Sequence, residues 1–425
     1  MSLTGPVFLD GIAALTVAAF VGLVLLWPRL ASRTPFHVAG RLGALALVNL
    51  LVLLTAATQL NAAYLFFAGW GDLAGALTGH IAQTGLDRGG AARSPSNIAV
   101  RGQAAKVPAH VPRLTTPVGP SGLLRFTVHG ALSGLTGTVL VQLPPGYTAA
   151  AAATKRYPVL EAFNGYPSQP INWVKLLRIG TMIDSLVHAH ALRAPLVVIP
   201  QVEIPQGVDT EGVNAGPGQP QVETWLTRDV PDWTAQHFRV EAKRNAWATV
   251  GYSAGGFVAA MATLLHPAQY GAGIVLGGYF RPQFGPFYEP FTPRSPAGRR
   301  YDLPRVVRLR PPPVSLWVET SHADAVSYLS SARFIRSARA PMAVHAVVLQ
   351  NAGHRDAVWR AMLPQALRWL GASVQGFQPG GSPPGGCGTT HGGCGASLRT
   401  SSRPGTVVSP SAHRPHRATG GVPPS

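Results

Sequence analysis

The chain is poor in acidic residues and almost free of cysteine. Its 425 residues include 17 Asp and Glu against 35 Lys and Arg, a formal net charge of +18, and only 2 Cys. Both cysteines, Cys387 and Cys394, lie in a glycine-rich segment near the C-terminus. No disulfide framework is therefore expected in a folded part, and the pair lacks the further ligands that a zinc site needs.

The low charge content also limits the class of protein. Only 12% of the residues are charged and 46% are hydrophobic, which excludes a wholly disordered chain and indicates that part of the chain meets lipid. The basic residues form no basic helix and no arginine cluster interleaved with aromatic residues, as a nucleic-acid-binding surface would. We predict solvated positive charge and no nucleic-acid partner.

Two long apolar stretches open the chain, at residues 8–27 and 42–67. Each is close to the ~20 residues with which a helix crosses a bilayer. The loop between them carries Arg29, Arg33 and Arg41, whereas no Lys or Arg precedes the first stretch, so the positive-inside rule places this loop in the cytoplasm. We predict a two-helix membrane anchor with both ends outside the cytoplasm; a cleaved signal peptide is the alternative for the first stretch.

Composition divides the chain into four parts. Residues 1–72 form the predicted anchor, and residues 73–115 mix Gly, Ala, Pro and Arg without periodicity, which is typical of a linker. Residues 116–371 carry the patterns of a folded domain. Residues 372–425 consist mainly of Gly, Pro, Ser and Thr and are predicted to be a disordered tail.

The folded domain contains eight short strand-like runs. A short Gly- and Ser-rich stretch joins the first two, which is typical of an antiparallel hairpin, and helical patterns separate the later ones, which is typical of a parallel sheet. We predict an α/β fold with a mostly parallel eight-stranded sheet and helices on both faces. The predicted strands are 123–129, 138–143, 157–163, 195–200, 246–252, 272–276, 314–319 and 343–349, and the helices are 171–191, parts of 223–239, 254–265, 323–337 and 356–370.

The most informative segment is WATVGYSAGG, in which Gly251, Ser253 and Gly255 form the pattern G-x-S-x-G. A predicted strand runs into the serine and a predicted helix follows it. A strand, a tight turn and a helix in this order expose a serine hydroxyl on a strained turn. We predict that Ser253 is a nucleophile; the alternative is an ordinary glycine-rich turn.

A nucleophilic serine needs a base to take its proton and a carboxylate to orient that base. His354 lies in a loop between the last predicted strand and the last predicted helix, where the order Ser, acid, His places the base. The acid is expected after the penultimate strand. Asp324, within the loop there, is preferred over Glu319 at the strand end. Such chemistry needs no cofactor and no metal.

The site also needs two backbone N–H donors for the oxyanion that forms during acyl transfer. One is expected from Ala254, directly after the nucleophile. The other is expected from the loop after the third predicted strand, where Tyr166 follows Asn164 and Gly165. An ordinary Asn-Gly turn is the alternative for this loop.

These segments together resemble the "putative esterase" family of α/β-hydrolases, which contains esterase D and the antigen 85 mycolyltransferases. The likeness covers about residues 120–371 and includes VQLPPGY, YPVLEAFNGYP, ETWLTRDVPDW, GYSAGG and AGHRDAVW. The chain is especially similar to membrane-anchored actinobacterial members, in which a helix ending like LNAAYLFFAGWGDLAG precedes the hydrolase domain. The resemblance implies an α/β-hydrolase fold and a serine acyl-enzyme formed by Ser253, an acid and His354, with Tyr166 and Ala254 as oxyanion donors.

The chain departs from the family in two places. Asn-Gly stands in the oxyanion loop where many hydrolases have His-Gly, and the loop with the acid lacks the compact Gly-x-x-Asp spacing. The second departure leaves Asp324 and Glu319 both open as the acid.

The sequence therefore predicts a membrane-anchored serine esterase with an extracytoplasmic domain that hydrolyses carboxylic esters. An acyltransferase that moves the acyl group to a sugar or lipid hydroxyl uses the same residues and is the alternative. A non-catalytic surface binding protein with a hydrolase shell is a third possibility. The predicted partners are a small-molecule or lipid ester and the cell membrane, and the sequence specifies no oligomeric state.

Overall fold

The computed structural model describes residues 3–64, 66–78, 121–285 and 288–380. Most of the predicted linker and the predicted tail from residue 381 onward lie outside the described residues. All the described residues fall within one compact unit.

Three helices begin the chain: α1 (Pro6–Leu26), α2 (Pro35–Tyr64) and α3 (Trp70–Thr78), with a 3-10 turn at Trp27–Leu30. Helices α1 and α2 pack as a hairpin, in which Thr16 Oγ1 lies 2.8 Å from Thr55 Oγ1. By length and composition both are candidate membrane spans, and 0% and 6% of their apolar windows are buried. Helix α1, near the N-terminus, would equally suit a signal sequence.

An eight-stranded sheet forms the centre of the remaining chain, in the order β1-β2-β4-β3-β5-β6-β7-β8. Strand β2 is antiparallel to β1 and β4, and all other neighbours are parallel. The predicted mostly parallel α/β sheet is thereby confirmed. The strands are β1 (Leu123–His129), β2 (Thr136–Gln142), β3 (Val159–Phe163), β4 (Leu196–Pro200), β5 (Trp247–Tyr252), β6 (Ala272–Leu276), β7 (Ser315–Ser321) and β8 (Ala343–Leu349).

Helices and short turns connect the strands. They are α4 (Asn172–Lys175), α5 (Ile179–His188), α6 (Val222–Thr224), a π-helical segment (Trp225–Asp229), α7 (Val230–His237), α8 (Ala254–Leu265), α9 (Pro296–Arg300), α10 (Leu303–Leu309), α11 (Tyr328–Ser337) and α12 (Asp356–Ser373), with 3-10 turns at Ala150–Ala152, Arg244–Ala246 and Gln375–Phe377. The single helix predicted at 171–191 is two helices, because Arg178 adopts a left-handed backbone with φ of 52° that a helix cannot continue through.

The sheet has an apolar cluster on each face, because successive residues of a strand point to opposite sides. In β7, for example, Leu316 and Val318 belong to one cluster and Trp317 to the other. The folded part extends past the predicted boundary at residue 371. Helix α12 runs to Ser373, and Phe377 is fully buried in the second cluster.

Candidate active site

The predicted nucleophile Ser253 lies alone between β5 and α8, in a backbone conformation with φ of 55° and ψ of −126°. A residue with a side chain rarely adopts a positive φ, and such strain concentrates at functional sites. The turn directs the chain from the sheet into the helix within one residue. This is the geometry that the G-x-S-x-G pattern requires.

The two glycines of the pattern are needed because backbones approach each other closely at this turn. A Cβ on Gly251 would lie 1.9 Å from the carbonyl oxygen of Gly255. A Cβ on Gly255 would lie 2.2 Å from the carbonyl oxygen of Phe163, at the end of β3. Both distances are far below any tolerated contact, so a side chain at either position would displace the turn that carries Ser253.

The structure brings Ser253, His354 and Asp324 into one chain of hydrogen bonds. His354 Nε2 lies 2.8 Å from Ser253 Oγ, and His354 Nδ1 lies 2.9 Å from Asp324 Oδ2. The three residues follow β5, β8 and β7, respectively, and the carboxyl ends of parallel strands meet at one edge of the sheet. Residues up to 101 positions apart in the sequence are thereby placed side by side.

Asp324 is held as a carboxylate by the groups around it. Burial alone would raise its pKa, but the hydrogen bond and charge of His354 and the hydrogen bonds from Ser327 outweigh burial, and the pKa lies below its usual value. The Ser327 hydroxyl donates to Oδ2 at 2.7 Å and the Val326 N–H to Oδ1 at 3.0 Å. An ionised carboxylate only accepts, so His354 Nδ1 carries the hydrogen and Nε2 is left to accept from the Ser253 hydroxyl.

Glu319, the alternative acid, is hydrogen-bonded to a backbone amide instead of His354. It is buried on β7, and its Oε2 accepts a hydrogen bond from the Gly277 N–H at 2.9 Å. Burial and the nearby negative charge of Asp324 raise its pKa to about 8. Within the described part of the chain no hydrogen bond joins Glu319 to His354. The structure thus brings Asp324 and not Glu319 to the histidine.

The predicted oxyanion loop runs directly beside the serine. A Cβ on Gly165 would lie 2.9 Å from Ser253 Cβ, and Tyr166 is the next residue along the chain. Ala254 is the first residue of α8, a position at which the N–H has no acceptor within the helix. Asn164 is 1% exposed, and its Nδ2 donates to the carbonyl oxygen of Gly165 at 3.0 Å. The turn at Asn164 and Gly165, next to Ser253, is thus closed by a hydrogen bond between these two residues.

An aromatic residue that the sequence analysis did not single out supports the histidine. The Trp359 ring meets the His354 ring edge to face, with 4.9 Å between centroids, and stacks on Tyr252 at 4.9 Å. Trp359 therefore packs between the histidine and the residue before the nucleophile. Its place in the segment AGHRDAVW, five residues after His354 in the first turns of α12, was the available signal.

A second unanticipated contact joins the N-terminal helices to the histidine loop. Asp72 of α3 is 7% exposed and forms a bidentate ion pair with Arg355, with distances of 2.5 and 2.6 Å. Its Oδ2 also accepts from the Gly353 N–H at 3.0 Å. Asp72 therefore holds both neighbours of His354. The predicted boundary between anchor and linker, after residue 72, falls inside α3.

A polar cavity of about 550 Å³ adjoins the oxyanion loop. Asn164 lines it, and its buried Oδ1 has no hydrogen-bond partner among the described residues. Amide and carboxyl side chains form much of the remaining wall, namely those of Gln169, Asn172, Gln201, Glu203 and Gln206.

Comparisons with known proteins identify the family of the chain. Residues 134–370, more than half of the chain, match the model of a family described as "Putative esterase". An uncharacterised protein of Corynebacterium glutamicum is 26% identical over 253 residues, which cover 54% of this chain and 55% of that protein. The chain thus spans about half the length of the curated relative that it matches.

Similarity to a solved structure supports the fold. An S-formylglutathione hydrolase from Agrobacterium tumefaciens has 17% identity and a TM-score of 0.51, with 62% of this chain and 99% of that chain covered. The fluorophosphonate-binding serine hydrolase F of Staphylococcus aureus has 18% identity and a TM-score of 0.49, with 59% and 99% covered.

Proposed function

Because the chain belongs to this esterase family, we propose that it is a serine esterase, anchored in the cell membrane by α1 and α2, whose extracytoplasmic domain hydrolyses carboxylic esters. The observation that carries the proposal is the continuous hydrogen-bond chain from Ser253 through His354 to Asp324. A strained serine aligned with a base and an ionised carboxylate is the arrangement that activates a hydroxyl for attack on an acyl carbon.

The first half of the reaction forms an acyl-enzyme. Ser253 Oγ bonds to the carbonyl carbon of the ester, and its proton passes to His354 Nε2. The Asp324 carboxylate stabilises the resulting imidazolium through its hydrogen bond to Nδ1. The electron pair of the carbonyl bond moves to oxygen, and the backbone N–H groups of Ala254 and Tyr166 stabilise this oxyanion.

The first half ends when the tetrahedral intermediate collapses. The bond between the carbonyl carbon and the alcohol oxygen breaks, His354 gives its proton to the departing alcohol, and the acyl-enzyme remains. The second half regenerates the enzyme. Water then attacks the acyl-Ser253 ester, with His354 taking one of its protons. The carboxylic acid leaves and Ser253 recovers its hydrogen.

Contacts at the ends of the hairpin support membrane anchoring. The Trp70 ring meets the Phe8 ring at 5.4 Å, which puts α3 level with the start of α1, and tryptophan is frequent at membrane surfaces. Arg29 and Arg33 lie between the two helices, at the other end of the hairpin. We propose that the hairpin of α1 and α2 anchors a catalytic domain whose described part runs from residue 121 to residue 380.

Acyl transfer is the second candidate, and the polar cavity beside Asn164 favours it. An acceptor hydroxyl bound there would lie next to the oxyanion loop and could replace water in the second half of the reaction. Product analysis with a model ester, with and without a polyol acceptor, separates the two. A new ester of the acceptor indicates transfer, and free acid alone indicates hydrolysis.

The proposed function is tested by labelling the full chain in detergent with a fluorophosphonate probe and mapping the adduct by mass spectrometry. We expect modification at Ser253, abolished in Ser253→Ala and lost or strongly slowed in His354→Ala. Ser337→Ala, a serine on α11, is the matched control and should label normally. A folded protein without an adduct at Ser253 would contradict the proposal and favour a non-catalytic binding protein.

A further inference from the structure

A second cavity, of about 650 Å³, lies between α3, α5 and α12 and is lined by arginines. They are Arg178 at the start of α5, Arg355 just before α12, and Arg360 and Arg368 along α12. No Asp or Glu is among the described residues that line this cavity. A cavity with one sign of charge concentrates ligands of the opposite sign.

Two of the four arginines have no acidic partner among the described residues. Arg355 is paired with Asp72. The pKa of Asp356 is raised by burial and lowered by the charge of Arg360, which indicates that these two groups lie close together. Arg178 and Arg368 are exposed and form no ion pair within the described ranges. Their guanidinium groups are therefore available to an anion.

Arg355, one of the residues that line the cavity, also has a buried donor without a partner in the described part of the chain. Arg355 is 8% exposed, and its Nε–H has no hydrogen-bond partner among the described residues, although both terminal nitrogens bind Asp72. The first turns of α5 and α12 both contribute to the wall, and neither helix has a side-chain cap at its N-terminus. Uncapped helix N-termini favour anions, and a cavity with buried and exposed arginines suits a phosphate group.

The position of the cavity points to a membrane as the source of the phosphate. Gly75 and Ala76 of α3 form part of its wall, and the next residue, Leu77, is 81% exposed. Helix α3 stands close to the end of α2, because the Asn61 side chain bonds both the N–H and the carbonyl oxygen of Phe67, at 2.7 and 3.1 Å. If α1 and α2 span the membrane as proposed, a cavity this near to the end of the hairpin is close to the lipid headgroups.

We propose that this cavity binds the phosphate of an anionic phospholipid headgroup, with Arg178 and Arg368 as its principal ligands. The inference goes beyond ester hydrolysis but rests on the proposed anchoring by α1 and α2. Arginine suits this role because its planar fork can donate two parallel hydrogen bonds to a phosphate.

The test is native mass spectrometry of the full chain, released from detergent with phosphatidylglycerol, with phosphatidylcholine of the same acyl chains, or with soluble glycerol phosphate. We expect phosphatidylglycerol to bind selectively. The double variant R178Q/R368Q should bind it about 25-fold more weakly, or about fivefold for each arginine removed. The control R333Q/R336Q, which removes the same charge from α11, should bind like the unaltered chain.

Three results would overturn the inference: equal binding of both lipids, an equal loss in the control variant, or binding of glycerol phosphate as tight as that of the lipid. The last result would assign the site to soluble phosphates. Fluorophosphonate labelling of Ser253 checks that each variant is folded. Recovery of the chain in the membrane fraction reports on anchoring separately, so a chain that is anchored but unselective fails this inference alone.

Discussion

Helices α1 and α8 are both built almost entirely from apolar residues, yet they have opposite surroundings. None of the 21 residues of α1 is buried, whereas every residue of α8 except Leu265 is buried. Helix α8 has 12 residues and packs against β5 and β6. Apolar composition therefore does not by itself define the environment of a helix. Length and the neighbouring elements do, since α1 has the length of a membrane span and α8 that of a core helix.

The two regions also differ in the substitutions that they tolerate. The catalytic unit is held by close packing around the sheet, so a small change there has no room to relax. Most of the surface of the hairpin contacts no other part of the protein. A substitution of similar size there therefore displaces no packed side chain. Paired substitutions in the two regions therefore test the comparison directly.

The largest difference is expected for the two aspartates Asp324 and Asp10. Asp324→Asn should lower kcat for a model ester by about 10⁴-fold, because an amide cannot stabilise the imidazolium and favours the wrong histidine tautomer. Asp10→Asn, on the exposed surface of α1, should change kcat by less than about twofold, because Asp10 contacts none of the catalytic residues. Steady-state kinetics on both variants measure this.

Glu319→Gln adds a control within the site. At neutral pH the raised pKa keeps Glu319 protonated, so glutamine preserves its charge state and its bond from Gly277. A larger loss of kcat in Glu319→Gln than in Asp324→Asn would mean that the acid has been assigned to the wrong residue.

The next largest effect is expected where the two regions meet. Asp72→Asn leaves the buried Arg355 without its counter-charge, and breaking a buried pair costs roughly 3–5 kcal/mol of unfolding free energy. Urea unfolding followed by tryptophan fluorescence measures the cost. In a double-mutant cycle, Asp72→Asn and Arg355→Gln should be strongly non-additive. Additive effects within about 0.5 kcal/mol would mean that the N-terminal helices and the histidine loop are energetically independent.

Glycine substitutions should show a smaller contrast. Gly255→Ala should destabilise the domain by about 1–3 kcal/mol or more, since its Cβ would overlap the backbone of β3. Gly22→Ala in α1 should be neutral or slightly stabilising, because no atom lies within 4 Å of the added Cβ and alanine favours helix. The midpoint of urea unfolding reports the first and the helical circular dichroism of the full chain the second. Equal losses of stability in Gly255→Ala and Gly22→Ala would contradict the difference in packing between the sheet and the hairpin.

The smallest expected effect, counted for each pH unit, is the change of stability with pH. The pKa of Glu319 is about 8 in the folded chain, against a usual value of 4.5, so the folded state holds this proton more tightly than the unfolded state. The resulting stability is present below about pH 4.5 and is lost as pH rises toward 8, by at most about 1.4 kcal/mol for each pH unit.

Glu319→Gln should therefore flatten the fall of unfolding free energy between pH 5 and pH 8. Hairpin variants such as Asp10→Asn should leave the slope unchanged. Glu161, whose pKa burial also raises to about 8, contributes a second decline of the same sign. An unchanged slope in Glu319→Gln would show that Glu319 titrates normally in the folded chain.

Much of the fold follows from local patterns. The strands at 123–129, 272–276 and 343–349 and the helix at 254–265 have the bounds that the sequence predicts, because alternation and helical periodicity depend on nearby residues. The break at Arg178 was not predicted, because nothing local marks an arginine for a left-handed backbone. Helices α9 and α10 were also missed, because at five and seven residues they are too short to show a helical period.

The sequence alone determined that a strand would lead into Ser253 and a helix away from it, because glycines at 251 and 255 and the flanking periodicities are local signals. Only the tertiary structure decided which acid meets His354. Asp324 and Glu319 are close in the sequence, and their distances from the histidine depend on how the loops after β7 and β8 run. The pairing of Asp72 with Arg355, which are 283 positions apart, leaves no local pattern at all, because it exists only once the chain has folded.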